Sequence, residues 1–509
     1  MGNSLDKKWM GRILKMKNIN KLLLITIITA GFLVRITNII KNPPELFSDE
    51  IKGFISAKSM IETGKDIDGK ARIFFYNRLE LYPPIYGYLT YITSLFIKSN
   101  PILAIRLPAV IFGTASIVTI FFLSQLLFNN VKISFFIIIF YTFTPWSIHF
   151  SRVGWEPSLL TFFLFTPIAL FKLYSKENDK PILLYLSSLI LGLGVYAYRS
   201  MEFYAPIFLF ILIILFWKKT NRYRQRVVIS IIIFSATITP FITTSAKETL
   251  MHERAKRIST FAEGINHKSI KIFAHNYIKH FSPNFLFISG DPNLRHGTGT
   301  GEIYWIMLPL ILIGIFTTFK NIKKNEFRLI LIMLLIYPLG GSLTNDGVPH
   351  ATRTLIGAPL FTILSGLGLF FITQKFRKYS GIFVAFFLVT FSLESSNFLI
   401  KYFSEYPKNS QGYWEYGQRE IFSFIKEHSN NNDSMCLTNI DYWHEETLIK
   451  FYLGANNKYK IVYDRNDPRC LTSKILVLRP QVEAPKSYYQ VQSIYDLERK
   501  PIWIIYIRQ

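Results

Sequence analysis

The apolar residues of this 509-residue chain gather into long blocks instead of alternating with polar ones. Blocks such as Lys21–Ile40, Val131–Phe150 and Val227–Ile242 are nearly free of charge. A run of about 18 or more apolar residues is what a helix needs to cross a bilayer core of roughly 30 Å. The pattern predicts spans at 21–40, 103–128, 131–150, 157–174, 181–198, 203–217, 227–243, 303–319, 328–343, 352–373 and 380–400, eleven in all. A further apolar stretch, Ile85–Ile97, is short, contains Gly87 and follows Pro83-Pro84. A water-soluble fold could not bury all of these blocks, so residues 21–400 are expected to form a mainly α, polytopic transmembrane bundle.

Charge decides whether Ile85–Ile97 crosses. The chain has 58 Lys and Arg against 33 Asp and Glu, and the basic residues cluster in short connectors. These are Lys7 to Lys21, "KKTNRYRQR" at 218–226, "KNIKKNEFR" at 320–328 and "QKFRK" at 374–378. Basic short loops mark the cytoplasmic side. With eleven spans, the N-terminus and the connectors near 130, 176, 222, 324 and 376 share that side. A crossing at 85–97 would push the basic connectors 218–226 and 320–328 outside. Eleven spans are therefore expected, with a basic cytoplasmic N-terminus at 1–20 and "YPPIYGYLTYITSLFI" as a juxtamembrane or re-entrant helix on the outer face. The first span exceeds a signal-peptide core and lacks an A-x-A-like cleavage site, so an uncleaved anchor is expected. Because the positive charge reports topology, no nucleic-acid partner is expected.

The same count turns outward the loops 41–101 and 244–302, the turns "SRVGWEP" at 151–157 and "LTNDGVPHATR" at 343–353, and everything after residue 400. Residues 401–509 change character: 15 basic residues nearly balance 13 acidic ones. An amphipathic helical pattern in "REIFSFIKEHS" precedes strand-like runs in "KYKIVY", "KILVLRP", "YYQVQSIY" and "PIWIIYI". A small extracytoplasmic α/β domain is expected there. It holds the only two cysteines, Cys436 and Cys470, which either form a disulfide or remain two buried thiols. The sequence has no CxxC, HExxH, Walker loop or GxGxxG, so it declares no nucleotide or zinc motif.

Polar residues from distant outward segments suggest a site at that membrane face. "ELFSDEIKGF" supplies Asp49 and Glu50, and "LYPPIYGYL" supplies Tyr82. The turn at 151–157 gives Arg152 and Glu156. "FLFISGDPNLRHGTGTGEIYW" gives Arg295 and His296, and the turn before the tenth span gives His350 and Arg353. Carboxylates handle protons, while Arg and His hold an anion. Each residue also has a plainer use. Asp49 suits the N-cap or first turn of a helix, and Arg152 and Glu156 suit a local ion pair. Arg353 suits an anchor at the lipid headgroups, and the glycines suit tight turns.

The DE pair after the first span, with "TGKDIDG", "YPPIYGYL" followed by "IRLPAVIFGTAS", and "SRVGWEPSL", resembles the GT-C membrane glycosyltransferases, in particular the protein O-mannosyltransferase and lipid A aminoarabinose transferase branch. The resemblance covers about residues 20–375. It implies a multi-span helical bundle with juxtamembrane helices in the first outer loop. It also implies inverting transfer of a sugar from a polyprenyl-phosphate carrier to an acceptor hydroxyl on protein, lipid or glycan. By the same resemblance, Asp49 positions or deprotonates the acceptor hydroxyl and Glu50 supports it. Glu156 stands where the family places a further acid, more often Asp, after an arginine matched by Arg152. Tyr82 departs from the aminoarabinose branch, which carries Lys before the double proline. Arg353, His350, Arg295 and His296 are the candidates for the carrier phosphate. A divalent metal is left open, with Asp49 and Glu156 as its candidate ligands, and no other cofactor is expected.

The chemistry suits these roles. The leaving group is already an anionic phosphate ester, so fixed positive donors stabilise the charge that develops on it. The acceptor hydroxyl needs a base, and an Asp near a low-dielectric surface is tuned towards that use. Two other classes compete: a transporter or flippase, and a polysaccharide polymerase or ligase of the cell envelope. Transporters place ionisable groups near mid-membrane on broken helices, whereas these acids lie in outer loops. A polymerase or ligase has no need of the early DE pair.

Overall fold

The computed structural model describes residues 17–67, 69–71, 73–77, 80–176, 180–216, 223–248, 253, 256–430, 433–437, 445–454, 460–462 and 467–509. The basic leader before Lys17 and most of the basic run at 218–226 lie outside them.

Every expected span contains a helix: Asn18–Ile36, Pro101–Phe128, Val131–Phe143 with Pro145–Phe150, Leu160–Lys176, Pro181–Leu193, Met201–Leu215, Arg224–Lys247, Met307–Lys320, Asn325–Ile336 with Leu339–Ser342, Gly357–Lys375 and Ser380–Ser404. The third span breaks at Pro145 and the ninth beside Pro338, where proline removes a helical N–H. Among the described residues, six helices are long and apolar enough to cross a membrane, and four shorter apolar helices accompany them. The chain is a multi-pass membrane protein.

Burial sorts the helices into layers. The most apolar windows of Glu156–Lys176 and Gly357–Lys375 are each 78% buried, against 17% for Asn18–Ile36 and 22% for Arg377–Ser404. The former are central and the latter peripheral. On the last span Ile382, Phe386, Val389, Leu393 and Ile400 are exposed, while Phe387, Phe391, Phe398 and Tyr402 are buried. Spacings of three and four put each set on one helical face. The outer face is apolar because its solvent is lipid. Close approach at the centre depends on small residues: a Cβ on Gly314 would lie 2.0 Å from the Leu364 carbonyl oxygen, and one on Gly368 2.0 Å from that of Leu310.

The first outer loop forms a platform. The Ser48–Thr63 helix is followed by a hairpin, β1 (Phe75–Asn77) and β2 (Glu80–Tyr82), and then by the Ile85–Phe96 helix. That last helix has 12 residues. At 1.5 Å per residue it is about 18 Å long, well short of a bilayer core. The hairpin went unpredicted because its strands have three residues each.

At the C-terminus the Gln418–His428 helix packs on a five-stranded sheet of order β4-β3-β5-β7-β6. Its strands are β3 (Ser434–Leu437), β4 (Lys460–Val462), β5 (Ile475–Leu478), β6 (Tyr488–Tyr495) and β7 (Pro501–Arg508). β3 runs parallel to β4 and β5, while β7 is antiparallel to β5 and β6. The four expected strands are present. Interior β3, "SMCL", was missed because a short strand buried on both faces shows no alternation. Cys436 and Cys470 form a disulfide, which closes the alternative left open by the sequence.

Candidate active site

Asp49 and Glu50 sit side by side in the first turn of the Ser48–Thr63 helix but face different surroundings. Phe47, not Asp49, is the N-cap residue. The capping contact comes from Glu50, whose Oε2 accepts the Phe47 N–H at 3.1 Å. Glu50 is buried and fully engaged. Oε1 accepts from Arg106 Nε at 2.9 Å and from the Gly154 N–H at 2.6 Å, and Oε2 accepts from a second Arg106 nitrogen at 3.0 Å. Arg106, from the Pro101–Phe128 helix, also donates to the carbonyls of Ile39, Pro43 and Glu45. One buried ion pair thus ties together the loop before Asp49, the second span and the turn at Gly154.

Asp49 instead lines a cavity of about 690 Å³. Its Oδ1 accepts from Lys52 Nζ at 2.7 Å, one turn along the same helix face. The Lys52 ammonium also lies 4.8 Å from the centroid of the Tyr82 ring. Tyr82 is fixed by its hydroxyl, which donates to the Lys52 carbonyl at 2.8 Å and shares a 2.6 Å hydrogen bond with Ser56. Burial pushes this phenol well above its usual pKa, so Tyr82 keeps its proton. Glu156 opens the next span beside Trp155, and both line the same cavity.

A second part of the lining comes from the long loop and the turn before the tenth span. It carries Asp291, Arg295, His296, Asp346, His350 and Arg353. The Arg295 guanidinium lies 3.9 Å from the Phe47 ring centroid. Arg353 donates to Thr344 Oγ1 at 2.6 Å and to Asp346 Oδ2 at 2.9 Å. The His296 and His350 rings stack with centroids 4.4 Å apart, and their Nδ1 atoms lie 3.6 and 3.7 Å from Asp291 Oδ2. Asp291 is 2% exposed and anchored by the N–H groups of Asn293 and Ala351 at 2.9 and 2.8 Å. Its own N–H donates to Glu302, whose carboxyl is held well above its usual pKa, first by burial and then by Asp291. Behind His350, buried His280 accepts the His350 N–H on Nε2 at 3.1 Å. Burial lowers its pKa to about 4, which outweighs the raising effect of its Asn276 bond.

Asp49, Tyr82, Glu156, Arg295, His296, His350 and Arg353 all meet in this one cavity. Glu50 stands behind it. Arg152 does not line it: the buried guanidinium donates to the carbonyls of Val34, Arg35 and Asn42 at 2.8 to 2.9 Å. Its local pair with Glu156 is not formed, because those carbonyls at the end of the first span take the guanidinium. Among the described residues, Asp291, His296 and His350 form a three-residue group spaced to hold a metal. Lys52, Arg199, Glu202 and Asp291 also line the cavity and went unnoticed in the sequence. Lys52 could have been found from its spacing to Asp49. Arg199 and Glu202 follow from the span count, which puts the turn after the fifth span on the same side as the other outward loops.

Residues 82–241 match the family described as dolichyl-phosphate-mannose-protein mannosyltransferase. No curated protein matches the sequence. Among solved structures, the fold is similar to the oligosaccharyltransferase of Archaeoglobus fulgidus tethered to an acceptor peptide, with TM-score 0.60 and 11% identity over 96% of this chain and 74% of that one. It is similar also to ArnT of Cupriavidus metallidurans bound to undecaprenyl phosphate, with TM-score 0.56 and 11% identity over 95% of this chain and 97% of that one. A third structure, AglB of Archaeoglobus fulgidus with an inhibitory peptide and a dolichol-phosphate, gives TM-score 0.56 and 10% identity over 92% and 70%. The chain thus shares the fold of these three membrane proteins, and the family match falls on residues 82–241 within it.

Proposed function

We propose that the protein transfers a sugar, with inversion, from a polyprenyl-phosphate-linked donor to an acceptor hydroxyl, on the outer face of the membrane. The observation that carries this reading is the shared cavity, which Asp49 and Glu156 line together with Arg295 and Arg353. Similar folds hold lipid phosphates and an acceptor peptide, which supports a lipid-linked donor. Acceptors of the protein, lipid and glycan classes all fit this chemistry. The outward orientation of the cavity draws on the basic connectors around Lys320–Lys324 and Arg377–Lys378, which belong to the opposite ends of the spans and read as cytoplasmic. On that orientation residues 1–20 lie in the cytoplasm, and residues 401–509 form a domain outside it.

In the proposed reaction the acceptor hydroxyl gives its proton to Asp49 as its oxygen attacks the anomeric carbon. The bond from that carbon to the phosphate oxygen breaks, and its electron pair leaves with the phosphate. Arg295 and Arg353 face the departing anion, where preorganised cations are most effective. Lys52 holds the Asp49 carboxylate, and Tyr82 packs beneath Lys52. The Glu50–Arg106 pair acts at one remove by fixing the backbone that carries Asp49. A charged donor on a lipid also needs no nucleotide fold, in keeping with the motifs the sequence lacks.

The test is incubation of purified protein with radiolabelled polyprenyl-phosphate sugars and a panel of acceptors. Label is expected to move to an acceptor, with the opposite anomeric configuration in the product. Movement of intact lipid-linked sugar across a vesicle, without label transfer, would contradict the proposal.

A further inference from the structure

We propose that Asp291, His296 and His350 bind one divalent transition-metal ion of the zinc class, in the cavity that Asp49 also lines. Each offers a donor atom, and the three atoms lie within 4.8 Å of one another. The two imidazole Nδ1 atoms stand 3.6 and 3.7 Å from the same oxygen, Asp291 Oδ2. That is too long for a hydrogen bond. It is close to the edge of a zinc tetrahedron, where ligand bonds of 2.0–2.1 Å set donors about 3.4 Å apart. The rings stack at 19°, so one of them has to turn about its Cβ–Cγ bond before both in-plane lone pairs can meet at a shared ion.

The surroundings are those of a built ligand set. Asp291 is held by the Asn293 and Ala351 N–H groups, and each oxygen keeps a further lone pair. His350 is fixed through its main chain by His280, itself held by the Asn276 carbonyl at 2.7 Å. Such outer contacts orient metal ligands and tune affinity. Imidazole with carboxylate suits zinc, and both cysteines are used in the disulfide. Asp49 and Glu156 are both carboxylates, a set suited to magnesium or calcium.

One carboxylate and two neutral imidazoles leave a divalent ion with one net positive charge and a fourth position open to the cavity. Resting on the sugar-transfer reading, that position would take a phosphate oxygen of the donor, between Arg295 and Arg353.

The test uses the full chain in detergent, stripped with a chelator and dialysed against Zn²⁺ without any lipid donor. One ion retained per chain and a raised Tm are expected. Asp291→Asn, His296→Gln and His350→Gln should each weaken binding at least about tenfold. Co²⁺ in the wild-type chain should give the visible absorption of a tetrahedral nitrogen and oxygen site, a readout independent of how the variants fold. No retained ion in the wild type, or unchanged binding in all three variants, would overturn the proposal and leave simple His–Asp ion pairs. Zinc binding without sugar transfer would keep this site and remove the transfer reading alone.

Discussion

Asp49 and Glu50 differ by one position along a helix, and that 100° turn separates a cavity-lining acid from a buried one. Glu50 is spent on Arg106, Phe47 and Gly154. Removing it as Glu50→Ala leaves a buried guanidinium without its counter-charge, a loss of about 3–5 kcal/mol, so thermal unfolding in detergent should show a much lower Tm. Loss of activity in that variant should track loss of fold. A second residue-scale prediction concerns His280. Its folded pKa of about 4 lies below the usual 6.5, so the native state holds it neutral. That contribution to stability is complete above about pH 6.5 and is lost as pH falls towards 4. Melting measured across this window should fall with acidification, and His280→Gln should flatten that part of the profile.

Among the elements, the Ser48–Thr63 and Ile85–Phe96 helices meet backbone to backbone at Gly53 and Gly87. A Cβ on Gly87 would lie 2.4 Å from the Gly53 carbonyl oxygen. Gly87→Val is therefore expected to push the Asp49 helix off its platform, lowering Tm and transfer together, while Gly381→Val, in open space, should change neither. The spans were legible in the sequence because a lipid-facing helix must be apolar over its whole length. The juxtamembrane helix was legible because basic connectors constrain the count. The β1–β2 hairpin and strand β3 were not: three or four residues leave no periodicity, and their pairing is set by distant partners. The glycine contact was equally hidden, since Gly87 reads as a weak point until Gly53 is seen against it.

For the whole molecule, the C-terminal sheet, although far along the chain, is linked to the loop beside the candidate site. Arg419 on the Gln418–His428 helix donates to buried Glu45 at 3.1 Å, and Trp414 stacks near Arg106. The Cys436–Cys470 disulfide closes 34 residues within that unit, worth about 4 kcal/mol by loop entropy. Reduction should lower its melting transition before that of the bundle, as followed by two-step thermal unfolding. At this scale most of the candidate site was legible, since a single count of spans brought its loops to one face. Arg152 shows the limit. Its position in the "SRVGWEP" turn suited substrate binding or a local pair with Glu156, but three carbonyls near the end of the first span claim the guanidinium, and no local pattern reveals carbonyls more than 100 residues away. The central claim is that Asp49 takes the acceptor proton. Its most direct test is the transfer rate of Asp49→Asn from a polyprenyl-phosphate sugar, in protein with wild-type Tm. A fall of about 10²–10⁴ is predicted, and transfer at the wild-type rate would contradict the account.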